Sequence, residues 1–359
     1  VVDEVALTDD DTPLLYSDVV VGPDGTFLAP GAQRTEDGGG VFEITSFSDS
    51  SGYTPTAGGS GTGGGGGTPL LISEIQGAGA ESGRVGEAVA VTAIVTYVDE
   101  DGYFLQEEDS DADGDAATSE GIFVFTGRGN TGAIEVGQQV TVEGSVTEFR
   151  GETQISNVTS TTVVATDQEL PTAAAVVMSA DITQADYEAV EGMRVSVTSE
   201  PAEELTIIET FNLARFGQVT ISSGGQTQPT QLFDAQDEAV DVAALLEQNA
   251  NNRLTLEDGT TDQNPTEFEY IPANVGDNGN GFLDAGDTFS EEGPTVRIGA
   301  ELDAPVEGIM TFTSPGFGRD STYTVIVEEQ LVIDEATNSE ARPDTPEDVG
   351  GDLQVASVN

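Results

Sequence analysis

The fold of this chain is decided by four stretches: EAVAVTAIVTYVD (residues 87–99), GYFLQEE (102–108), GIFVFTG (121–127) and QQVTVEGSVTEF (138–149). β-Branched and aromatic residues dominate them, apolar and polar positions alternate with a period of two, and glycine-rich turns lie between them. Related β runs lie at 70–76, 153–157 and 161–166. About five strands of this length predict a small closed barrel of the OB-fold type over residues 69–168.

A second β-rich region follows at residues 169–336, and we expect it to form another barrel-like domain. Its strand-like runs include MRVSVTS (193–199), LTIIETF (205–211), TVRIG (295–299) and STYTVIVEEQLVI (321–333). One short helix is predicted at Glu238–Asn249, with Asp237 as a candidate cap. The predicted fold class is therefore all-β, and the two β regions could be distant copies of one barrel.

Both ends of the chain have a different character from its centre. Residues 1–57 form a polar segment with short strand-like runs, and residues 58–68 are a flexible glycine-rich linker by composition. Residues 337–359 begin as an acidic, proline-containing linker and end in the strand-like run LQVASVN. The start, Val-Val-Asp, is not that of a signal peptide, so we expect a processed or excised chain.

Charge limits the chemistry that this chain can perform. It carries 66 Asp and Glu against ten basic residues, all arginine, for a net charge of −56, and it has no His, Cys, Lys or Trp. Imidazole catalysis, thiolate chemistry and Schiff bases are thereby excluded. Oxygen ligands, which Ca²⁺ prefers, are abundant. Much of the acidity suits a saline environment, where repulsion is screened within about 3–10 Å.

The sharpest motif is DSDADGDAATSE, residues 109–120, which has the spacing of a twelve-residue calcium loop. Carboxylates occupy loop positions 1, 3, 5 and 12, a glycine at position 6 permits the tight turn, and position 7 offers its backbone carbonyl. The flanking runs are β-type, so we expect a calcium loop within a β hairpin. A solvated acidic loop is the alternative. The predicted calcium ligands are Asp109, Asp111, Asp113, Asp115 and Glu120.

A weaker copy of this motif is GDNGNGFLDAGD, residues 276–287. Its first position is Gly276, so the first carboxylate is missing unless Asp277 or Asn274 replaces it. An ordinary Asn/Gly turn is the alternative. The candidate ligands at positions 3, 5, 7, 9 and 12 are Asn278, Asn280, Phe282 (through its carbonyl), Asp284 and Asp287.

Aromatic residues on the first barrel raise the question of nucleic-acid binding. Stacking platforms for single strands are one interpretation of Tyr103, Phe104, Phe123, Phe125 and Phe149. Because Phe123 and Phe125 lie two apart and share a face, we favour core packing. Ten scattered arginines among 66 acids supply few counterion-releasing contacts, so direct nucleic-acid binding is not expected.

Two long stretches carry a family resemblance. GYFLQEEDSDADGDAATSEGIFVFTG (102–127) and VGQQVTVEGSVTEFRGETQIS (136–156) resemble the OB-fold module of secreted multidomain bacterial endonucleases of the endonuclease/exonuclease/phosphatase superfamily. The similarity continues through YEAVEGMRVSV (187–197), ETFNLARFGQVTISSGG (209–225), QPTQ (228–231) and NRLTLEDGTTDQNP (252–265). Residues 31–58 are similar to the end of a lamin-tail-like domain, and GGDLQVASVN (350–359) to the first strand of the catalytic domain.

The resemblance implies a secreted parent protein with a metal-dependent nuclease domain. Asn359 alone matches that domain, so we expect this chain not to be an enzyme. Two hypotheses carry equal weight: a calcium-stabilised, non-catalytic accessory region of a secreted nuclease-like protein, and a structural subunit of an extracellular polymer. In the second, the N-terminal segment would mediate self-association by β-strand exchange. A third hypothesis is a cation-dependent polysaccharide-binding module. No apolar run reaches the ~18–20 residues of a membrane span.

Overall fold

The computed structural model describes residues 67–338, except 261, 274–277, 288–295 and 315–319, and the backbone of four short strands before residue 46. The chain divides into two compact units, Val1–Gly65 and Gly66–Asn359. Residues 339–359 and most of residues 1–66, including the glycine-rich linker, lie outside the described residues. The predictions made for these residues, among them self-association through the N-terminal segment, lie outside the described part of the chain as well.

The first unit contains two small strand pairs. Strands β1 (Ala6–Leu7) and β2 (Val20–Val21) are parallel, and β3 (Gly31–Arg34) and β4 (Phe42–Thr45) are antiparallel. Strands β1, β2 and β4 lie within runs that β-type residues mark in the sequence, VALT, DVVVG and VFEIT.

A closed five-stranded barrel begins the second unit and confirms the predicted β architecture. The order of neighbouring strands in the sheet is β6-β7-β8-β10-β9, and β9 also pairs with β6, which closes the barrel. Strands β8 and β10 are parallel and the other pairs are antiparallel, which is an OB-type arrangement. The elements are β5 (Thr68–Pro69), α1 (Ile72–Gln76), β6 (Ala88–Val98), β7 (Gly102–Gln106), β8 (Gly121–Phe125), β9 (Gln139–Phe149) and β10 (Glu152–Ala165).

The remainder of the second unit is built on an eight-stranded sheet with the order β11-β12-β19-β20-β15-β14-β13-β18, beside a separate β16–β17 hairpin. Its strands are β11 (Ala174–Met178), β12 (Arg194–Ser199), β13 (Leu205–Glu209), β14 (Val219–Ser223), β15 (Leu254–Glu257), β16 (Glu267–Pro272), β17 (Phe282–Asp284), β18 (Glu301–Leu302), β19 (Val306–Thr313) and β20 (Thr322–Val327). Its helices are α2 (Gln184–Glu188), α3 (Leu213–Phe216), α4 (Pro229–Leu232), α5 (Ala239–Asn251) and α6 (Glu335–Asn338).

This second sheet repeats the pairing pattern of the first barrel. Strands β12 and β13 together take the place of β6: β12 pairs with β19 and β13 with β14. The parallel pair β15–β20 corresponds to β8–β10. A bond of 2.7 Å between the hydroxyls of Ser199 and Ser223 joins β12 to β14. Each barrel is also preceded by a parallel strand and a short helix, which agrees with the hypothesis of two copies.

Some sequence predictions need correction. Residues 70–76 were expected to extend the β pattern, but Ile72–Gln76 form α1, because Ile72 and Ile75 lie three apart and both enter the first core. The predicted helix is present as α5, yet it begins after Glu238, so Asp237 is not its cap. Residues 296–299 are not a strand, and Ile298 and Gly299 lie in a turn.

The two barrels pack through their outer surfaces. Phe104 and Phe123, on β7 and β8, form one buried cluster with Ile309 and Ile326 of β19 and β20. The backbones of the two barrels approach closely where Gly121 lies against Gly192, since a Cβ on Gly121 would overlap the Gly192 carbonyl. Polar bonds tie the same junction, among them Ser119 Oγ to the Glu191 carbonyl (2.6 Å), Arg194 N–H to Gln106 Oε1 (2.8 Å) and Thr311 Oγ1 to Glu152 Oε1 (2.6 Å).

We predict that Gly121→Ala lowers the free energy of unfolding by about 1–3 kcal/mol, because the new methyl group must displace the backbone of the second barrel. Urea denaturation followed by circular dichroism measures this change. Gly225→Ala is the matched control, since a Cβ there meets nothing within 4 Å. Equal stability of the two variants would contradict the close approach.

Candidate functional site

The acidic loop 109–120 connects β7 to β8, as the sequence predicted for a hairpin loop. Gly114, at loop position 6, has φ of +75°, the left-handed conformation that the tight turn requires. Asp113 organises the loop: its Oδ1 accepts the Asp115 amide at 2.6 Å, and its own amide donates to Glu120 Oε1 at 2.8 Å. Positions 5, 7 and 12 of the predicted calcium loop are therefore directly linked.

Asp109 and Asp111 take no part in this linked group. Both carboxylate oxygens of Asp109 bind Thr172, one its amide at 2.8 Å and the other its hydroxyl at 2.6 Å. These bonds lower the pKa of Asp109. Asp111 accepts a bond of 3.3 Å from its neighbour Ser110. In this arrangement Asp109 attaches the loop to Thr172, which lies in the segment that connects the two barrels.

Two buried carboxylates meet beneath the loop. Glu107, at the end of β7, is 2% exposed, and Glu120 is 8% exposed. Burial raises the pKa of Glu107, and the neighbouring Glu120 carboxyl adds to the shift. The Oε2 atoms of both residues, and that of Glu108, are buried and have no hydrogen-bond partner in the described part of the chain. A buried carboxylate oxygen without a partner carries a high desolvation cost.

These orphaned oxygens fit a hard cation, since they are of the donor type that Ca²⁺ prefers and a cation would neutralise the Glu107–Glu120 pair. No three acidic side chains among the described residues already converge closely enough to hold a metal ion. Binding would therefore require the loop carboxylates to turn inward toward Glu107 and Glu120. Sequence reasoning missed Glu107 and Glu108, although they immediately precede the motif.

The second candidate loop forms the turn before β17 and contains β17 itself. Asp284 is its centre, because its carboxylate accepts the side-chain amides of Asn278 (3.0 Å) and Asn280. The Asn278 bond is the main cause of a lowered Asp284 pKa. Asp287 accepts the amide of Asp284 at 2.7 Å, and Phe282 donates its amide to Asn280 Oδ1 at 3.2 Å.

In this second loop, four predicted side-chain ligands lie together, and their internal bonds are those of a stable polar turn. Gly281, at loop position 6, has φ of +91°. Residues 274–277, which would supply the first ligand, lie outside the described part of the chain.

A cleft of about 400 Å³ lies between the two barrels on the outer face of β8 and β10. Of the aromatic residues considered above, Tyr103 belongs to the first barrel's core, whereas Phe104 and Phe123 are buried between the barrels. Phe125 and Phe149 line the cleft and are 40% and 57% exposed. The expected core role is therefore wrong for Phe125, because its strand turns this face outward and the second barrel covers only part of it.

Carboxylates collect in the same cleft. Burial raises the pKa of Glu152 and of Glu257 to about 7 and that of Asp99 to about 6, and mutual repulsion adds to the shifts. Glu191, at the junction of the barrels, is 1% exposed, and burial with the nearby Glu152 charge raises its pKa well above the usual range. The composition alone gave no means of finding these groups among so many acids.

Comparison with known proteins gives no further guide: no family model matches the chain, and no curated protein matches its sequence. None of the helices in the described ranges combines the length and the apolar character that a membrane span requires.

We predict that the chain melts at a higher temperature at pH 5.5 than at pH 8, by about 5 °C. The pKa values of Glu152, Glu257 and Asp99 are higher in the folded chain than in an unfolded one, so the folded chain binds more protons. The resulting stability is complete below pH ~4 and is lost as the pH rises through 6 to 7. Differential scanning calorimetry across this range measures it.

Glu152→Gln should flatten this pH profile, because it removes one of the titrating groups. Glu247→Gln, on the exposed side of α5, should keep the profile of the unmodified chain. A melting temperature that rises from pH 5.5 to pH 8 would show that the buried acids are ionised and compensated.

Proposed function

We propose that this chain is a non-catalytic, calcium-stabilised scaffold: a tandem of two OB-type barrels that serves as the accessory region of a secreted, nuclease-like protein. The observation that carries the proposal is the buried Glu107–Glu120 pair, whose unpartnered oxygens lie at the base of a loop with calcium-ligand spacing. In a chain without cysteine, a bound cation would take the stabilising role that disulfides have elsewhere.

The location of the pair explains what a cation there would stabilise. Ser119, directly before Glu120, binds the backbone of Glu191, and Gly121, directly after it, lies against Gly192. The Glu107 carboxylate also accepts the backbone amide of Ile72 at the start of α1. A cation on Glu107 and Glu120 would therefore fasten the loop, the first helix and the junction of the two barrels at one point.

A scaffold role also agrees with the composition and with the packing. The sequence has no imidazole, thiol or amine side chain for catalysis, and its acidity opposes autonomous nucleic-acid binding. The outer face of β7 and β8, a surface on which OB folds bind ligands, is partly covered by the second barrel. The nuclease connection and secretion rest on the resemblance of residues 102–156 and of the segments that follow.

We expect millimolar CaCl₂ to raise the melting temperature of the chain by about 5 °C or more relative to EDTA, since a ligand at about 100 times its Kd contributes about 2.7 kcal/mol. Glu120→Gln should abolish most of this difference. Glu247→Gln, an exposed change of the same chemistry, should retain it. Melting that is indifferent to calcium would refute the proposed cation.

The variant Asp109→Asn tests whether Asp109 is a calcium ligand or instead attaches the loop to Thr172. If its role is the attachment to Thr172, as its two hydrogen bonds indicate, the variant melts at a temperature that is lower by the same amount with calcium and with EDTA. If Asp109 is the first ligand of the loop, the variant loses the calcium-dependent part instead. Calorimetry of this variant and of Asp113→Asn in the two buffers distinguishes the outcomes.

A further inference from the structure

The cleft between the barrels has the position and the lining of a ligand site. It lies on the outer face of the first barrel, beside the connection from β6 to β7 and the turn from β9 to β10, and OB folds bind oligonucleotides and oligosaccharides on this side. Its volume of about 400 Å³ is within the range of small-molecule sites.

Exposed aromatic rings form part of the lining. Phe125 and Phe149 keep 40% and 57% of their surface exposed, and Phe216 and Phe312 line the cleft from the second barrel. The Arg150 guanidinium lies over one face of the Phe149 ring, 5.4 Å from its centroid, so a ligand would contact the other face of this ring and Phe125. Neighbouring exposed rings in a concave site mark a candidate ligand surface. Flat apolar rings are suited to stacking against the apolar faces of sugar rings or of bases.

A largely buried amide lines the same space. Gln154, on β10, is 6% exposed and is one of the cleft's lining residues. The amide carries both a donor and an acceptor, which match a hydroxyl or an acetamido group of a ligand.

The charge of the cleft lining favours sugar rings over nucleic-acid bases as the ligand. The cleft is lined by the carboxylates of Asp99, Asp101, Glu152, Glu257 and Asp262, against the single guanidinium of Arg150. In their ionised form these groups repel phosphates, and in either protonation form they hydrogen-bond to sugar hydroxyls. Nucleic acid and anionic glycans are thereby disfavoured.

We propose that the cleft between the barrels binds neutral sugar rings, one or two units of a glycan, stacked on Phe125 and Phe149 and hydrogen-bonded to Gln154. The surrounding carboxylates accept bonds from the hydroxyls. The site would give the scaffold a point of attachment to a polysaccharide.

Saturation-transfer NMR on the full chain tests the proposal. The probes are neutral tetrasaccharides with gluco-, galacto-, manno- and N-acetylglucosamine backbones, together with tetragalacturonate and an oligothymidylate as polyanions. We expect transfer to at least one neutral tetrasaccharide and to neither polyanion. Transfer to none of the neutral probes, or preferential transfer to a polyanion, would overturn the proposal.

Variants locate the binding. Phe125→Ala and Gln154→Met, which keeps the length of the side chain, should each weaken the affinity for the bound tetrasaccharide by about tenfold, as titration calorimetry measures it. Phe211→Ala is the control, since Phe211 is 77% exposed and does not line the cleft. Unchanged affinity in both cleft variants would place the sugar elsewhere and refute the site.

Melting temperatures of each variant, with calcium and with EDTA, verify that the variants are folded. They also keep this inference separate from the proposed scaffold. Sugar binding in a chain whose melting ignores calcium would refute only the cation, and calcium-dependent melting without sugar binding would refute only the cleft.

Discussion

The close contact of Gly121 with Gly192 is the constraint on which the rest of the structure depends. It lets the backbones of the two barrels approach until Phe104 and Phe123 are enclosed by Ile309 and Ile326. Apolar burial at this junction provides the driving force for the association. The same approach takes Glu152 and Glu191 out of water, and it leaves the cleft on one side and the acidic loop on the other.

Burying acidic groups in a chain of net charge −56 is energetically costly, and hydrogen bonds and an ion pair offset part of this cost. Glu152 receives the Thr311 hydroxyl, Glu257 the Gln218 amide at 3.0 Å, and Glu188 the hydroxyl of Tyr323. Arg194 pairs with Glu328 at 3.5 Å, close to the same junction. In the cleft, protonation of carboxyl groups whose pKa is raised offsets a further part of this cost. Beneath the loop, we propose that a bound cation has this effect.

The barrel strands could be predicted from the sequence because β-type residues dominate them and because inward positions alternate in strands such as β9 and β12. Val89, Val91 and Ala93 enter one core, and Val195 and Val197 enter the other. The turn glycines, Gly114 among them, follow from the calcium-loop spacing. These features are local, so one sequence is enough to reveal them.

Other features depend on contacts between distant residues and could not be predicted. Glu107 and Glu120 are recognisable as a pair only once β7 and β8 are placed side by side. Phe125 alternates like a core residue, yet its exposure depends on how far the second barrel extends over that face. The division of β12 and β13 within one barrel position became evident only from the pairing of β19 and β14.

The pairing of strand edges in the two barrels has a consequence for assembly. A strand whose two sides are already paired offers no row of free amides and carbonyls to another chain. In the described part of the barrels, unpaired strand sides belong to β5, β11 and β18, of two, five and two residues, and to the second half of β10, where residues 160–165 pair only with β9. Polymerisation by strand exchange that involved the barrels would therefore have to add its strand at one of these edges.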